Sequence, residues 1–240
     1  MRWLLGSYLV DRPVAGFAAL LDLLPDFSQL FQEGRDVPLD GPRPPMVKTH
    51  FLPGVEVLRP YREATTKIVY LVRNPRDVLT SATRVLRVAE RHRHAFAQAF
   101  IRTHGVEHWE QTGWGTWPQH VREWSAPQRH FPNAEVCVVR YEDLRNDTAA
   151  KLLEVVDFLG LDGAADPDRV QRAVEHSALG RLHAVERAND PGRSNTIFFG
   201  RGSSGQSLAD YGDDVETAYR RLLATPGEFS ACAEQFRYAT

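Results

Sequence analysis

A strand that turns directly into a capped helix leaves a chain few ways to fold, and residues 67–81 (KIVYLVRNPRDVLTS) are such a unit. The run KIVYLV is apolar and β-branched without alternation, which predicts a buried strand of a parallel sheet. It ends in Arg73. Asn74 then suits a helix N-cap, Pro75 the first helical position, and Asp77 stands where an acid can answer the cap. A helix that starts at the carboxyl end of a strand offers free N–H groups and a positive dipole end to an anion. Arg73 adds a permanently charged bidentate fork there, and Ser81 a hydroxyl from the first helical turns. Together these residues make a phosphate site. The plainer alternative is a strand–helix junction with an exposed arginine.

Strand and helix signals alternate along the chain. Helices are predicted over 1–10 and 14–24, the second with Phe17, Leu20, Leu21 and Leu24 on one face. A Pro/Gly-rich loop over 36–45 leads to a short strand at 46–49, and 55–62 reads as helical. After strand 67–72, helices are predicted over 75–90 and 95–103, with a charged turn between. A Thr116-x-x-Gln119 capping box opens a helix over 117–126. A buried strand over 135–140 (EVCVVR) precedes an amphipathic helix over 148–159. Helices around 167–175, 178–187 and 214–223 complete the chain, with a polar loop at 188–206. Strands separated by helices predict a parallel α/β sheet covered on both faces.

The chain has 240 residues, 42% of them apolar, and a net charge of −2, as expected of one globular domain with a sizeable core. The near-neutral balance speaks against a nucleic-acid partner, which calls for a basic excess. Cys137 and Cys232 are the only cysteines, and Cys137 lies in an apolar strand, so a reducing, cytoplasmic setting is expected rather than a disulfide framework. No apolar run reaches membrane-spanning length, so no membrane partner is expected.

Several short segments carry chemistry. Lys48-Thr49-His50 places a lysine and a histidine two residues apart near a strand's carboxyl end. The histidine can take a hydroxyl proton near neutral pH, and the lysine can neutralise charge growing on a leaving phosphate oxygen. Tyr141, in Arg140-Tyr141-Glu142-Asp143-Leu144, ends the next strand, where an aromatic ring can stack on a base; otherwise it is a structural tyrosine beside a turn built by Glu142 and Asp143. Gly200-Arg201-Gly202-Ser203-Ser204-Gly205 has the spacing G-x-G-x-x-G. It lacks the following helix and βαβ unit of a dinucleotide fold, and reads better as an anion loop of backbone N–H groups with Arg201. Arg91-His92-Arg93-His94 is no metal site, because histidines two apart do not share a helix face and the arginines repel a cation; a solvated turn is expected. Trp109, Trp114 and Trp117 either fill the core or line the mouth of a pocket for a bulky planar molecule.

The wording of these segments resembles the sulfotransferases that use 3′-phosphoadenosine 5′-phosphosulfate (PAPS), over nearly all of residues 1–240. The resemblance implies that Arg73 and Ser81 hold the 3′-phosphate of the nucleotide. Lys48 and His50 match the K-T-H-x-P segment, here with one extra residue before Pro53; there the histidine is the general base and the lysine contacts the transferring group. Tyr141 matches the tyrosine of Y-E-D-[LM], which lies against the adenine. His176-Ser177-Ala178-Leu179 resembles the H-T-S-F segment of the adenine pocket, Ser177 keeping the hydroxyl and Leu179 replacing the aromatic. Arg201 and Gly202 match a G-K-G loop that closes over the 3′-phosphate, with arginine for lysine. The implied fold is α/β, a P-loop NTPase-like three-layer αβα with a central parallel sheet and helix-rich insertions. The middle of the chain, including Gly-Trp-Gly-Thr-Trp-Pro, is most similar to bacterial sulfotransferases that tailor glycopeptide antibiotics.

One family element has no match here, the 5′-phosphosulfate loop of the type S-Y-P-K-S-G-T-T-W-L. Met1-Arg2-Trp3-Leu4-Leu5 resembles the helix that follows it, so the chain reads as a single sulfotransferase domain over 1–240 lacking the first strand and that loop. Either Met1 is an internal residue of a longer protein, which the intact downstream motifs favour, or the loop has been lost. An in-frame Pro-[Lys/Arg]-x-Gly-x-[Thr/His]-Trp encoded just upstream would identify the first case.

The expected activity is transfer of a sulfuryl group from PAPS, leaving PAP, to a hydroxyl, with a phenol of a bacterial secondary metabolite such as a glycopeptide as acceptor. No metal is required for it. Two rivals stand beside it: an N-terminally truncated, non-catalytic nucleotide-binding protein, and a P-loop-type small-molecule kinase, which would need a Walker A loop and Mg²⁺ ligands that are not found. The family's K-x-x-x-T-V-x-x-x-E dimer segment is not found either, so the oligomeric state is open.

Overall fold

The computed structural model describes residues 1–37, 39, 45–161, 163–189, 199–200 and 202–238. In chain order the elements are helices α1 (Arg2–Val10), α2 (Phe17–Leu23) and α3 (Phe27–Gln32), strand β1 (Lys67–Val72), helices α4 (Pro75–Val85), α5 (Glu90–Thr103), α6 (Glu107–Gln111) and α7 (Trp117–Ser125), strand β2 (Glu135–Arg140), and helices α8 (Tyr141–Asn146), α9 (Thr148–Leu159), α10 (Pro167–His176), α11 (Leu179–Asn189), α12 (Asp213–Ala224) and α13 (Glu228–Gln235). They fall into two units, Met1–His50 with Asp143–Phe199, and Phe51–Glu142 with Gly200–Thr240.

The first unit is helical. Helix α10 packs along α1 and against α9. In α9 the apolar stripe Leu152, Val155 and Val156 is fully buried, as the i, i+3, i+4 spacing requires. Asp147 caps this helix, its carboxylate accepting from the Ala150 N–H at 3.0 Å. Arg169 closes the far end of α1, its Nε donating to the Tyr8 carbonyl at 2.6 Å and its Nη2 to the Leu9 carbonyl at 2.9 Å. The strand expected at 46–49 reduces to one parallel bridge, Asp26 to Lys48. Lys48 donates its N–H to the Pro25 carbonyl and accepts from the Phe27 N–H. The pairing goes no further because α3 begins at Phe27 and the chain on that side turns away.

The second unit holds the sheet. Strand β1 pairs with β2 in parallel register from Lys67 opposite Glu135 to Val72 opposite Arg140. Both strands have the bounds read from their apolar runs. Helices α4 to α7 make the crossover between them, α7 packing on β1 and α4 on α5; α12 packs on α5, and α13 on α7 and α12. Leu79, Phe100, Val121, Val139, Val215 and Tyr219 form the core.

Several predicted boundaries move for identifiable reasons. Helix α4 stops at Val85, short of residue 90, because Arg87 takes a left-handed φ of 53°. The charged segment 91–94 is helical rather than a turn. His94 Nε2 meets the two Asp214 carboxylate oxygens of α12 at 3.1 and 3.0 Å, and Gln98 donates to the same carboxylate at 2.8 Å, so α12 gives this polar face a partner. Residues 56–61 are a 3-10 turn containing Pro60, which has no N–H to extend an α-helix. Residues 141–146 are α8 rather than a turn, and α6 and α13 had no expectation attached to them.

Candidate functional site

In the second unit the end of β1 and the start of α4 are braced from every side. Asn74 caps α4, accepting from the Arg76 N–H at 3.0 Å. Its own N–H donates to Glu142 Oε1 at 3.0 Å, and Tyr238 donates its hydroxyl to Glu142 Oε2 at 2.6 Å. Glu142 is thus a brace between helix cap and chain end, not a turn-builder. The Trp117 indole N–H donates to the Arg73 carbonyl at 3.1 Å, so this tryptophan, 7% exposed, props the strand end from the core. Trp109 and Trp114 pair with each other, ring centroids 6.0 Å apart.

Arg73 sits where the sequence places a phosphate ligand. Its Nη2 donates to the Ser203 carbonyl at 3.0 Å, and its guanidinium lies over the Tyr141 ring, 4.2 Å from the centroid. Tyr141, expected against an adenine, therefore has one ring face covered by arginine. The Arg73 Nε is buried, 3.8 Å from Asp77 Oδ2, and makes no hydrogen bond among the described residues. A buried N–H without an acceptor is costly, and an anion's oxygen would satisfy it. Ser81, eight residues on, accepts from Arg84 Nη2 at 3.2 Å.

The glycine loop is tied to this corner by Asp77. That carboxylate is fully buried, with 0% exposure, and accepts from the Gly205 N–H at 3.1 Å and the Gln206 N–H at 3.2 Å. One backbone donor of the expected anion loop, the Gly205 N–H, is therefore committed to the protein, together with its neighbour at Gln206. Gly202 and Gly205 hold left-handed φ angles of 67° and 72°, which favour glycine. Arg201 lies outside the described residues, as do residues 190–198 of the polar loop expected at 188–206. A second clamp runs from Arg76 to Glu216 of α12, at 2.6 and 3.0 Å, and Glu216 also accepts from the Leu208 N–H at 3.1 Å. The Arg76 bond in particular draws the Glu216 carboxyl down to a pKa of about 2, against burial.

The other candidates lie in the first unit. Lys48 is held, Nζ donating to Asp26 Oδ2 at 2.7 Å, and the same oxygen is 3.7 Å from Arg2 Nη1. Burial pushes the Lys48 ammonium below its usual range, only partly offset by Asp26. Burial pushes the Asp26 carboxyl up, but the Lys48 hydrogen bond and charge, with the Ser28 N–H and His50 behind them, leave it below the ordinary carboxylate range. His50 is exposed. Ser177 donates to Ser7 Oγ of α1 at 3.2 Å, so its hydroxyl ties two helices, while the neighbouring His176 Nδ1 is buried with no hydrogen-bond partner among the described residues.

The family model described as "Sulfotransferase domain" matches residues 26–207. The chain belongs to the sulfotransferase domain family. Sulfotransferase 1A1 of Canis lupus familiaris is 26% identical over 161 residues, covering 65% of this chain and 50% of that protein. Sulfotransferase 2A2 of Rattus norvegicus is 28% identical over 146 residues, covering 59% and 46%. The chain thus spans about half the length of the curated relatives it matches. Among solved structures, retinol dehydratase in complex with androsterone and the inactive cofactor PAP is similar with a TM-score of 0.56 at 24% identity, over 82% of this chain and 56% of that one. Mouse sulfotransferase SULT7A1 complexed with PAP is similar with a TM-score of 0.60 at 18% identity, over 88% and 74%. At these identities the likeness shows the fold, the α/β fold with P-loop-like αβα layers.

Three parts of this sulfotransferase-family chain escaped the sequence reading: the Asp77 clamp, the Asp26 partner of Lys48, and Arg84 beside Ser81. Asp77 and Asp26 do carry a sequence signal, since each stands at a helix start, but that position says nothing of partners 22 or 128 residues away. Among the described residues no group of three or more His, Cys, Asp or Glu is placed to hold a metal ion, and no helix is long and apolar enough to cross a membrane.

Proposed function

We propose that this chain, as a single sulfotransferase domain over 1–240, moves a sulfuryl group from PAPS to a hydroxyl of a small acceptor, with a phenol of a bacterial secondary metabolite such as a glycopeptide as the substrate class. The acceptor oxygen bonds to sulfur, the bond from sulfur to the bridging phosphate oxygen breaks, and PAP leaves with that oxygen. His50 takes the acceptor proton. Lys48 steadies negative charge on the leaving oxygen, and Asp26 keeps it charged despite burial. Arg73, Ser81, Arg201 and the Gly202 loop hold the 3′-phosphate, and Tyr141 and Ser177 flank the adenine. The sulfuryl group carries less charge than a phosphoryl group, so the transfer needs no metal for neutralisation. Neither Cys137 nor Cys232 is in a disulfide among the described residues, which suits a cytoplasmic setting.

The observation that carries this reading is the buried, unsatisfied Nε of Arg73 at the carboxyl end of β1, beside the first turn of α4. That is where an open α/β sheet receives anions. The relatives' names and the PAP bound in the similar structures support PAPS as the nucleotide. The test is transfer of labelled sulfate from PAPS to a panel of phenols, glycopeptide phenols included. Label on the acceptor is expected. Phosphoryl transfer from ATP with no transfer from PAPS would overturn the reading.

A further inference from the structure

We propose that Arg84 is a second cationic ligand of the nucleotide's 3′-phosphate, lying against the backbone of Gly200 and acting together with Ser81. The inference rests on the PAPS reading above and adds to it a residue that the family motifs do not supply.

Arg84 stands three residues after Ser81 on α4, on the same helix face. Its Nη2 donates to Ser81 Oγ at 3.2 Å. Because the hydroxyl oxygen receives that bond, its own O–H is left to donate to a further acceptor. The guanidinium also lies close to Gly200. A Cβ at that position would overlap Nη1 and come within 2.6 Å of Cζ and 2.9 Å of Nη2. Gly200 is not among the glycines with positive φ, whereas Gly202 and Gly205 are. A side chain at Gly200 would therefore have to move the Arg84 guanidinium aside.

Charge balance points the same way. The second pKa of a phosphate monoester is about 6, so a bound 3′-phosphate is close to a dianion at neutral pH. Arg73, its expected partner, lies 3.8 Å from the fully buried Asp77 carboxylate, which cancels much of its field. The Arg73–Asp77 pair alone makes a near-neutral corner. Arg84 brings a second guanidinium to this helix, bonded to Ser81 and beside the loop that carries Gly202.

The experiment compares binding of PAP with binding of adenosine 5′-phosphate, which lacks the 3′-phosphate, to the wild-type protein, Arg84→Gln, Arg84→Lys and Gly200→Ala. The wild type is expected to prefer PAP. Arg84→Gln is expected to weaken PAP by about 10- to 100-fold, the range of a lost charge-assisted bond, with adenosine 5′-phosphate unchanged. Arg84→Lys is expected to recover part of the loss, and Gly200→Ala to reduce the PAP preference while Arg84 is intact. If Arg84→Gln weakens both nucleotides equally, or neither, Arg84 is only a brace for the loop and the proposal fails. If the wild type itself shows no preference for PAP, the nucleotide reading falls, and the role of Arg84 with it.

Discussion

At the scale of single residues, the proposed base and the proposed cation are set apart by their surroundings. His50 is exposed, as the proposed exchange of protons with solvent requires, whereas Lys48 is half-buried and bonded to Asp26. A general base contributes about 10²- to 10⁴-fold, so His50→Ala is expected to lower kcat for labelled sulfate transfer by that factor while PAP affinity stays at the wild-type level. Unchanged transfer would remove His50 from the role of base. Lys48 gives a prediction with a sign. Burial lowers its pKa and the Asp26 bond raises it, the net effect being downward. Asp26→Asn removes the raising influence, so Lys48 loses its proton at lower pH. The alkaline limb of the kcat profile is then expected to move toward neutrality, measured from about pH 7 to 10 across the ordinary lysine range. An alkaline limb in the wild-type position would show that the charge on Lys48 does not matter to the rate.

At the scale of elements, two carboxylates pin the glycine loop to the first turn of α4. Asp77 is fully buried with Arg73 and two loop N–H groups as its company. Asp77→Ala leaves the two loop N–H groups unsatisfied and Arg73 without its counter-charge, and unfolding in urea is expected to show a loss of about 3 kcal/mol, with Asp77→Asn losing less. Glu216 acts through pH. Its folded pKa of about 2 lies below its ordinary 4.5, so the stability it adds is complete above pH 4.5 and is lost as pH falls toward 2. The difference in Tm between wild type and Glu216→Gln is therefore expected to be constant from pH 7 to about 5 and to shrink below 4.5. A difference that persists unchanged at pH 3 would contradict the ion pair. These clamps also show what the sequence could and could not convey. Strands β1 and β2 and helix α9 have the bounds read from apolar runs and caps, because those signals are local. The 46–49 strand did not form, because a strand needs a partner as well as a pattern, and its partner segment turned into α3 after one bridge. The acid at Asp77 was legible as a helix-start residue; its grip on Gly205 and Gln206 was not, since nothing in a sequence records a bond from a side chain to a distant backbone.

At the scale of the whole molecule, family membership was legible because each motif is a few contiguous residues, while the division into two units, which depends on contacts across the chain, was not. Helix starts at strand ends serve phosphates of many kinds, so the fold leaves the transferred group open. What separates a sulfuryl from a phosphoryl donor is charge. A phosphoryl group with its extra negative oxygen calls for a cation bridging donor and leaving group, and a kinase needs Mg²⁺ for it. A sulfuryl group can be transferred with protein cations alone, and Lys48, Arg73, Arg84 and Arg201 are the ones proposed for that role here. The expected outcome is that labelled sulfate moves from PAPS at a rate within about twofold with and without EDTA, while labelled phosphate does not move from ATP even with Mg²⁺. Chelation that abolished sulfate transfer, restored by adding a divalent cation, would mean that these side chains do not suffice. The charge balance drawn around Arg73 and Asp77 would then have to include a metal.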